Sequence, residues 1–388
     1  ANSSHKPFRA NRSPPCRIHE SNELAPGTLT QRAKTCEAGL GAPAYGPALR
    51  VSGKGARKLM TLVSFQGADD IGDRFLSLLS KHEIEPPVRS LQEHELLSLT
   101  QLIEITKNPA LASEPEKVAV LRAAAGLHDL AAKVLSVEPI TEFGTFIPHL
   151  RLIANAKARA ASLGQNAASA YDDDTARKMA ELYIGCLAAH VGTGVDLDSP
   201  TNAKGDNPDV MVTLERDDTG EKQRWALAIK TISSTQGQTI YERIKNGADQ
   251  VDDPKCLADR GMVVINVKDA LDHDKLWKTE FPDLASAMTA LGAQIDGLIE
   301  AAEKDRPQAE WDALFKRKVA RPILFLGQSL VRLPTPASKQ TPTALKMLKV
   351  YGANGELDQA GAALAHCMNH LMQTILRGIP GSTGNPPS

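Results

Sequence analysis

Between Asp209 and Val267 the chain reads, in order, as a strand, a charged turn, a strand, a helix and a strand, and few folds accommodate that succession. The strands DVMVTLE (209–215) and RWALAIKTI (224–232) flank the turn RDDTGEKQ. QTIYERIKNGADQV (238–251) carries apolar residues at helical spacing, and GMVVINV (261–267) is almost wholly apolar, as a strand is when both its faces are buried. Ahead of them, DDDTARKMAELYIGCLAAH opens with acidic residues and then lines up Met179, Leu182, Tyr183, Cys186 and Leu187 on one helical face. The segment GTGVDLDSPTNAKGDN between reads as a polar loop. Helix, strand, strand, helix, strand is a layered α/β pattern. Beyond it the spacing predicts long helices over 284–304 and 308–319, a strand in PILFLGQSLVRL and a last helix in LDQAGAALAHCMNHLMQTIL.

The chain of 388 residues is long enough for two domains. Residues 1–59 hold ten Lys/Arg against three Glu, are rich in Pro, Gly and Ser, and show no apolar period. They read as a disordered basic leader, with Met60 opening MTLVSFQGADD like a start codon; the other reading is a basic arm that touches nucleic acid. Residues 60–165 read as a helical domain through DIGDRFLSLLSKHE, SLQEHELLSLTQLIEITK and EPEKVAVLRAAAGLHDLAAKVLS, punctuated by Pro86, Pro87, Pro109 and Pro115. Residues 166–388 form the α/β domain with C-terminal helices. The helical domain carries no motif and is expected to be a scaffold or a partner-protein surface.

A formal net charge of −1 rules out a globally cationic molecule, so any surface for nucleic acid must be local. Cys16, Cys36, Cys186, Cys256 and Cys367 are scattered, odd in number and never in a CxxC, which argues against a disulfide framework or zinc ribbon and fits a reducing cytoplasm. No apolar run approaches the roughly 18 residues of a membrane span, so no membrane association is expected.

Chemistry concentrates around Asp209 and Lys230. Hydrolysis of a phosphodiester uses a divalent ion to polarise phosphate and activate water, and a hard ion prefers carboxylate and carbonyl oxygens. In a strand, Ala226, Ala228 and Lys230 share one face while Leu227 and Ile229 share the other. A carboxylate at 228 would stand beside Lys230, with the Ile229 carbonyl between them.

Pro208-Asp209, an apolar strand, a turn and a strand ending Ala228-Ile229-Lys230 resemble the PD-(D/E)XK nucleases, which have a restriction-endonuclease-like fold. The likeness spans roughly 172–270, about a quarter of the chain, and includes a preceding helix bearing Glu181 and a helix directly after Lys230. It implies a mixed sheet flanked by helices and a metal-dependent nuclease that uses magnesium or manganese. DNA is the expected substrate ahead of RNA, restriction or anti-phage defence the expected setting, and a homodimer or larger complex the expected assembly. Asp209, the residue at 228 and the Ile229 carbonyl would hold metal, Lys230 would position the attacking water, and Glu181 would assist.

Ala228 departs from the pattern, and three accounts stand open: an inactivated variant of a Glu-bearing enzyme, a carboxylate moved to Glu242 twelve residues past Lys230, or an inactive fold kept as a nucleic-acid or protein-binding module. Each site residue also has a plain reading. Asp209 can start a strand or an Asx turn, Lys230 can snorkel to water, Glu181 can pair with Arg177, and Glu242 can pair with Lys245 or Lys230. Gln238 and Tyr241 share the helix with Glu242 and are weaker candidates for ordering the site. Arg243 and Lys245, the run Lys316-Arg317-Lys318, and Arg151, Lys157 and Arg159 are candidate phosphate contacts. His366 and His370 share a helix face but lack an intervening Glu and read as packing residues, and GKGARK at 53–58 lacks the spacing of a phosphate loop.

Overall fold

The computed structural model describes residues 68–88, 91–153, 161–164, 175–200, 207–215, 220–304, 306–334 and 340–375. The expected basic leader, Met60, Lys157 and Arg159 lie outside them. Among the described residues, six strands form one mixed sheet in chain order: β1 (Thr193–Leu197), β2 (Val210–Glu215), β3 (Lys222–Thr231), β4 (Arg260–Asn266), β5 (Ile323–Leu333) and β6 (Thr341–Tyr351). The first three run antiparallel, β3, β4 and β5 run parallel, and β6 returns antiparallel along β5.

The helices among the described residues are α1 (Ala68–Lys81), α2 (Leu91–Leu96), α3 (Ser98–Lys107), α4 (Glu114–Val137), α5 (Ile147–Ile153), α6 (Thr175–Val191), α7 (Gly237–Asp252), α8 (His273–Lys278), α9 (Leu284–Glu303), α10 (Gln308–Asp312) and α11 (Gln359–Thr374). Local chemistry sets several of their boundaries. Ser113 and Glu116 form a reciprocal capping box with Pro115 in the first turn of α4, and Asp283 accepts the Ser286 N–H at the start of α9.

The alternation in β3 sorts the two layers. Trp225, Leu227 and Ile229 join a core with α6, α4 and α11, whereas Ala226 and Ala228 join a second core with α7 and α9. The first core runs without a break from Ile71 on α1 through Leu127 on α4 and Leu182 on α6 to Met368 on α11. The helices before residue 165 therefore bury their apolar stripes on the same side of the sheet as α6. A buried polar knot ties this layer together. Asp129 on α4 accepts Lys133 Nζ at 2.9 Å, Lys346 Nζ of β6 at 2.7 Å and the Tyr183 hydroxyl of α6 at 2.8 Å. Lys133 Nζ also donates to the Met372 carbonyl of α11 at 3.0 Å.

Two expectations need correcting. The segment read as a polar loop contains β1, and the helix expected over 308–319 ends at Asp312. There Arg317 takes a φ of 46° and Val319 leaves the helical path to bridge Gly261. No helix is long and apolar enough to cross a membrane among the described residues.

Candidate active site

The site forms where the β2–β3 ladder ends. The last paired residues are Val210 and Leu227, so the next steps set Asp209 across from Ala228 and Pro208 across from Ile229. Pro208 has no N–H to offer the Ile229 carbonyl, and the Ile229 N–H is taken by the Asp209 side chain: Asp209 Oδ2 accepts it at 2.6 Å. The carboxylate is thereby pinned at the sheet edge, and Lys230 Nζ reaches the same oxygen at 3.4 Å.

Lys230 does not snorkel to water. Its ammonium donates to Gln250 Oε1 at 2.5 Å, and Gln250 Nε2 donates to the Asn207 carbonyl. Gln250, near the end of α7, thus ties the ammonium to the chain just before Pro208.

From the other layer, α6 brings Glu181, which is fully buried. Its Oε2 accepts Lys178 Nζ at 2.8 Å and His149 Nε2 of α5 at 3.1 Å. Because a carboxylate only accepts, the His149 proton sits on Nε2. Among the described residues, Glu181 Oε1 and His149 Nδ1 have no hydrogen-bond partner.

Burial, then the nearby negative charge of Glu181, pushes the Asp209 carboxyl up to about 6, against the pull of Lys230 and the Ile229 N–H. Burial pushes Glu181 up too, but the His149 hydrogen bond and the Lys178 charge outweigh it and hold that carboxyl below its ordinary range.

Asp209, Lys230 and Ile229 therefore meet directly, Glu181 acts on Asp209 through its charge, and Ala228 stands beside them, fully buried and apolar in its contacts. Glu242 does not join them. It lies on the exposed face of α7 and accepts from Gln238 at 2.8 Å. Gln238 also accepts from Arg306, and Tyr241 donates to the Glu310 carbonyl at 3.3 Å while meeting Trp311 edge-on. These residues fasten α7 to α10 and to Arg306 just before it.

The basic candidates disperse as well. Arg243 is exposed, and Lys245 is exposed and paired with Asp249 at 2.7 Å. Lys316 is exposed, Arg317 meets Asp252 at 3.4 Å, and Lys318 donates to the Cys256 carbonyl at 2.5 Å. That run sits by Gly261, whereas Lys230 pairs in register with Ile265, about 13 Å further along the strand. Arg151, His366 and His370 are exposed.

The residues present fit a hard cation through Asp209, the unpartnered Glu181 Oε1 and the Ile229 carbonyl, whose ladder donor Pro208 removes. That set holds two carboxylates, and among the described residues no group of three or more His, Cys, Asp or Glu gathers around one point. Sequence reasoning missed His149, Lys178 and Gln250. The ADQV end of α7 was the only local hint of Gln250, and nothing near His149 announces its meeting with Glu181. No family model matches this chain, and neither a curated protein nor a solved structure matches it.

Proposed function

We propose that this chain has the active-site frame of a metal-dependent nuclease that hydrolyses DNA phosphodiester bonds on a restriction-endonuclease-like sheet, with Ala228 leaving it one carboxylate short. The observation that carries the reading is the convergence of Asp209 and Lys230 at the ladder end, 3.4 Å apart, with a buried Glu181 close enough to raise Asp209. The order α6, β1, β2, β3, α7, β4 supports it, because the helix bearing Glu181, the Asp strand, the Lys strand, the following helix and a further strand occur in the sequence the resemblance implies.

A bound magnesium or manganese ion would polarise the phosphate and lower the pKa of a water, and Asp209, Glu181 and the Ile229 carbonyl are the groups that would hold it. The Lys230 ammonium stands beside Asp209 at 3.4 Å, where it would orient an attacking water and stabilise charge developing on the phosphate. Gln250 holds that ammonium in place. Glu242, bonded to Gln238 on the exposed face of α7, does not make up the missing charge. Cleavage by the chain as it stands is accordingly expected to be weak.

The test is cleavage of plasmid and linear DNA with Mg2+ or Mn2+, comparing the chain with Ala228→Glu and with Ala228→Glu/Lys230→Ala. Ala228→Glu is expected to raise cleavage by about 100-fold or more, the scale of restoring one preorganised charge, and Lys230→Ala to abolish it. If no folded version cleaves any substrate, the reading fails. A second reading, a non-catalytic nucleic-acid or protein-binding module, has one observation in its favour: Ala228 is fully buried within the apolar core that β3 shares with α7. DNA binding without metal and without cleavage would select it.

A further inference from the structure

The helices before residue 165 contribute directly to this site. We propose that His149, on α5 and outside the stretch that resembles a nuclease, is a positioning residue. With Lys178 it occupies Glu181 Oε2, so that Oε1 stays available for a cation shared with Asp209. The proposal rests on the functional reading above.

The geometry argues for more than a packing contact. His149 and Glu181 are both fully buried, and among the described residues each keeps one polar atom without a partner, Nδ1 and Oε1. Burying such atoms costs free energy, and a pair kept only for packing would be better replaced by apolar residues of similar shape. Both donors to Glu181 reach the same oxygen, Lys178 at 2.8 Å and His149 at 3.1 Å. A carboxylate held by two donors on one oxygen cannot rotate freely, so the direction of its other oxygen is fixed.

The two donors come from different elements. Lys178 is one turn before Glu181 on α6, whereas His149 is on α5 in the helical half, so its contribution depends on how α5 packs on α6. Around the cluster stand Asp209, just before β2, with Lys230 of β3, and Gln250 of α7 beyond them. Carboxylates that hold metals are themselves held by hydrogen bonds from an outer shell, and losing such a partner weakens metal affinity by about 10- to 100-fold.

The experiment is Mn2+ titration of the full chain by calorimetry, with folding checked by circular dichroism. His149→Phe keeps the planar ring and removes the donor, and it is expected to weaken Mn2+ binding by about 10-fold or more. His149→Gln places an N–H near the same point and is expected to recover most of the affinity, a rescue that a purely structural role would not show. Asp209→Asn is expected to abolish binding. If it does while His149→Phe binds as the parent chain does, the positioning role is overturned and the site survives. If Asp209→Asn changes nothing, or the parent chain takes up no Mn2+, the site reading falls and this proposal with it. Should His149→Phe not fold, nitrogen-labelled histidine in the parent chain decides: the His149 Nε2 resonance must shift on Mg2+ addition, and an unmoved resonance at saturation refutes the role.

Discussion

Replacing Asp209 with Asn should stabilise the metal-free protein at alkaline pH and leave it little changed in acid. Burial and Glu181 raise the Asp209 carboxyl from 3.8 to about 6 in the folded chain. The folded state therefore binds the proton more tightly than the unfolded state. The fold is favoured by that proton below about pH 4, and the advantage is lost as pH rises through about 6. A rise of about two pKa steps at 1.36 kcal/mol each makes the ionised group unfavourable by about 3 kcal/mol above pH 7, to order of magnitude. Asn keeps an oxygen for the Ile229 N–H and removes the charge, so Asp209→Asn should gain up to about 3 kcal/mol at pH 8 and well under half of that at pH 4. Urea unfolding with a chelator present measures both. Mn2+ at about 1,000 times its Kd should reverse the order at pH 8, because a ligand that binds only the parent would stabilise it by about 4.1 kcal/mol. An Asn variant that loses stability equally at both pH values would refute the claim that this carboxylate is held charged against its surroundings.

Three further outcomes follow from the packing. Lys133→Met removes a donor from Asp129 and from the Met372 carbonyl inside the core, leaving Asp129 to Lys346 and Tyr183; it should cost on the order of 3 kcal/mol in urea unfolding, and a cost under about 1 would mean the knot is replaceable. Gly237→Ala should cost about 1–3 kcal/mol by the same measurement, since a Cβ there lands on the Ala301 carbonyl of α9, and an unchanged midpoint would contradict that close approach. On the outer strand β6, Asn369 accepts the Leu348 N–H at 3.0 Å and Gln373 donates to the Lys346 carbonyl at 2.7 Å, so α11 closes part of an edge that could otherwise pair with another chain. Asn369→Ala/Gln373→Ala should associate at concentrations where the parent is monodisperse by light scattering, and equal scattering would show that the edge is protected by other means.

How much of this was legible in the sequence depended on whether the signal was local. The near-unbroken apolar runs of β3 and β4 and the amphipathic α7 between them announced themselves, because each element carries its own period. Strand β1 was hidden by its five-residue length and by Gly194 and Asp196, which belong to loop chemistry until β2 supplies a partner. Strand β6 escaped for a related reason. Pro342 and two lysines weaken its pattern, and Lys346 is acceptable inside only because Asp129, far back on α4, receives it. At the site, the spacing of Asp209, Ala228 and Lys230 follows from strand alternation and was readable. The partner of Glu181 was not. An i, i+4 reading offers Arg177, whereas the structure supplies Lys178 and His149, the latter through the packing of α5 on α6. The sequence does not single out Gln250 over Gln238, because nothing local tells which side of α7 faces the ladder end.

The charges at the site explain why position 228 matters more than its small side chain suggests. Above pH 6, Glu181 and Asp209 carry two negative charges, and Lys178 and Lys230 stand against them with two positive ones. The cluster is nearly neutral before any cation arrives. A divalent ion entering it would leave excess positive charge in a buried setting, where an unbalanced charge is costly. Either an ammonium withdraws, or another carboxylate joins. Lys230 is tethered by Gln250 and Lys178 is nearly buried, so withdrawal is hindered on both sides. A carboxylate at 228, across the ladder from Asp209 and on the face of Lys230, is placed to restore balance. Mn2+ affinity should therefore rank Ala228→Glu above the parent chain and the parent above Asp209→Asn. Finding Ala228→Glu no tighter than the parent would mean that the lysines, and not the missing carboxylate, set the charge of this site.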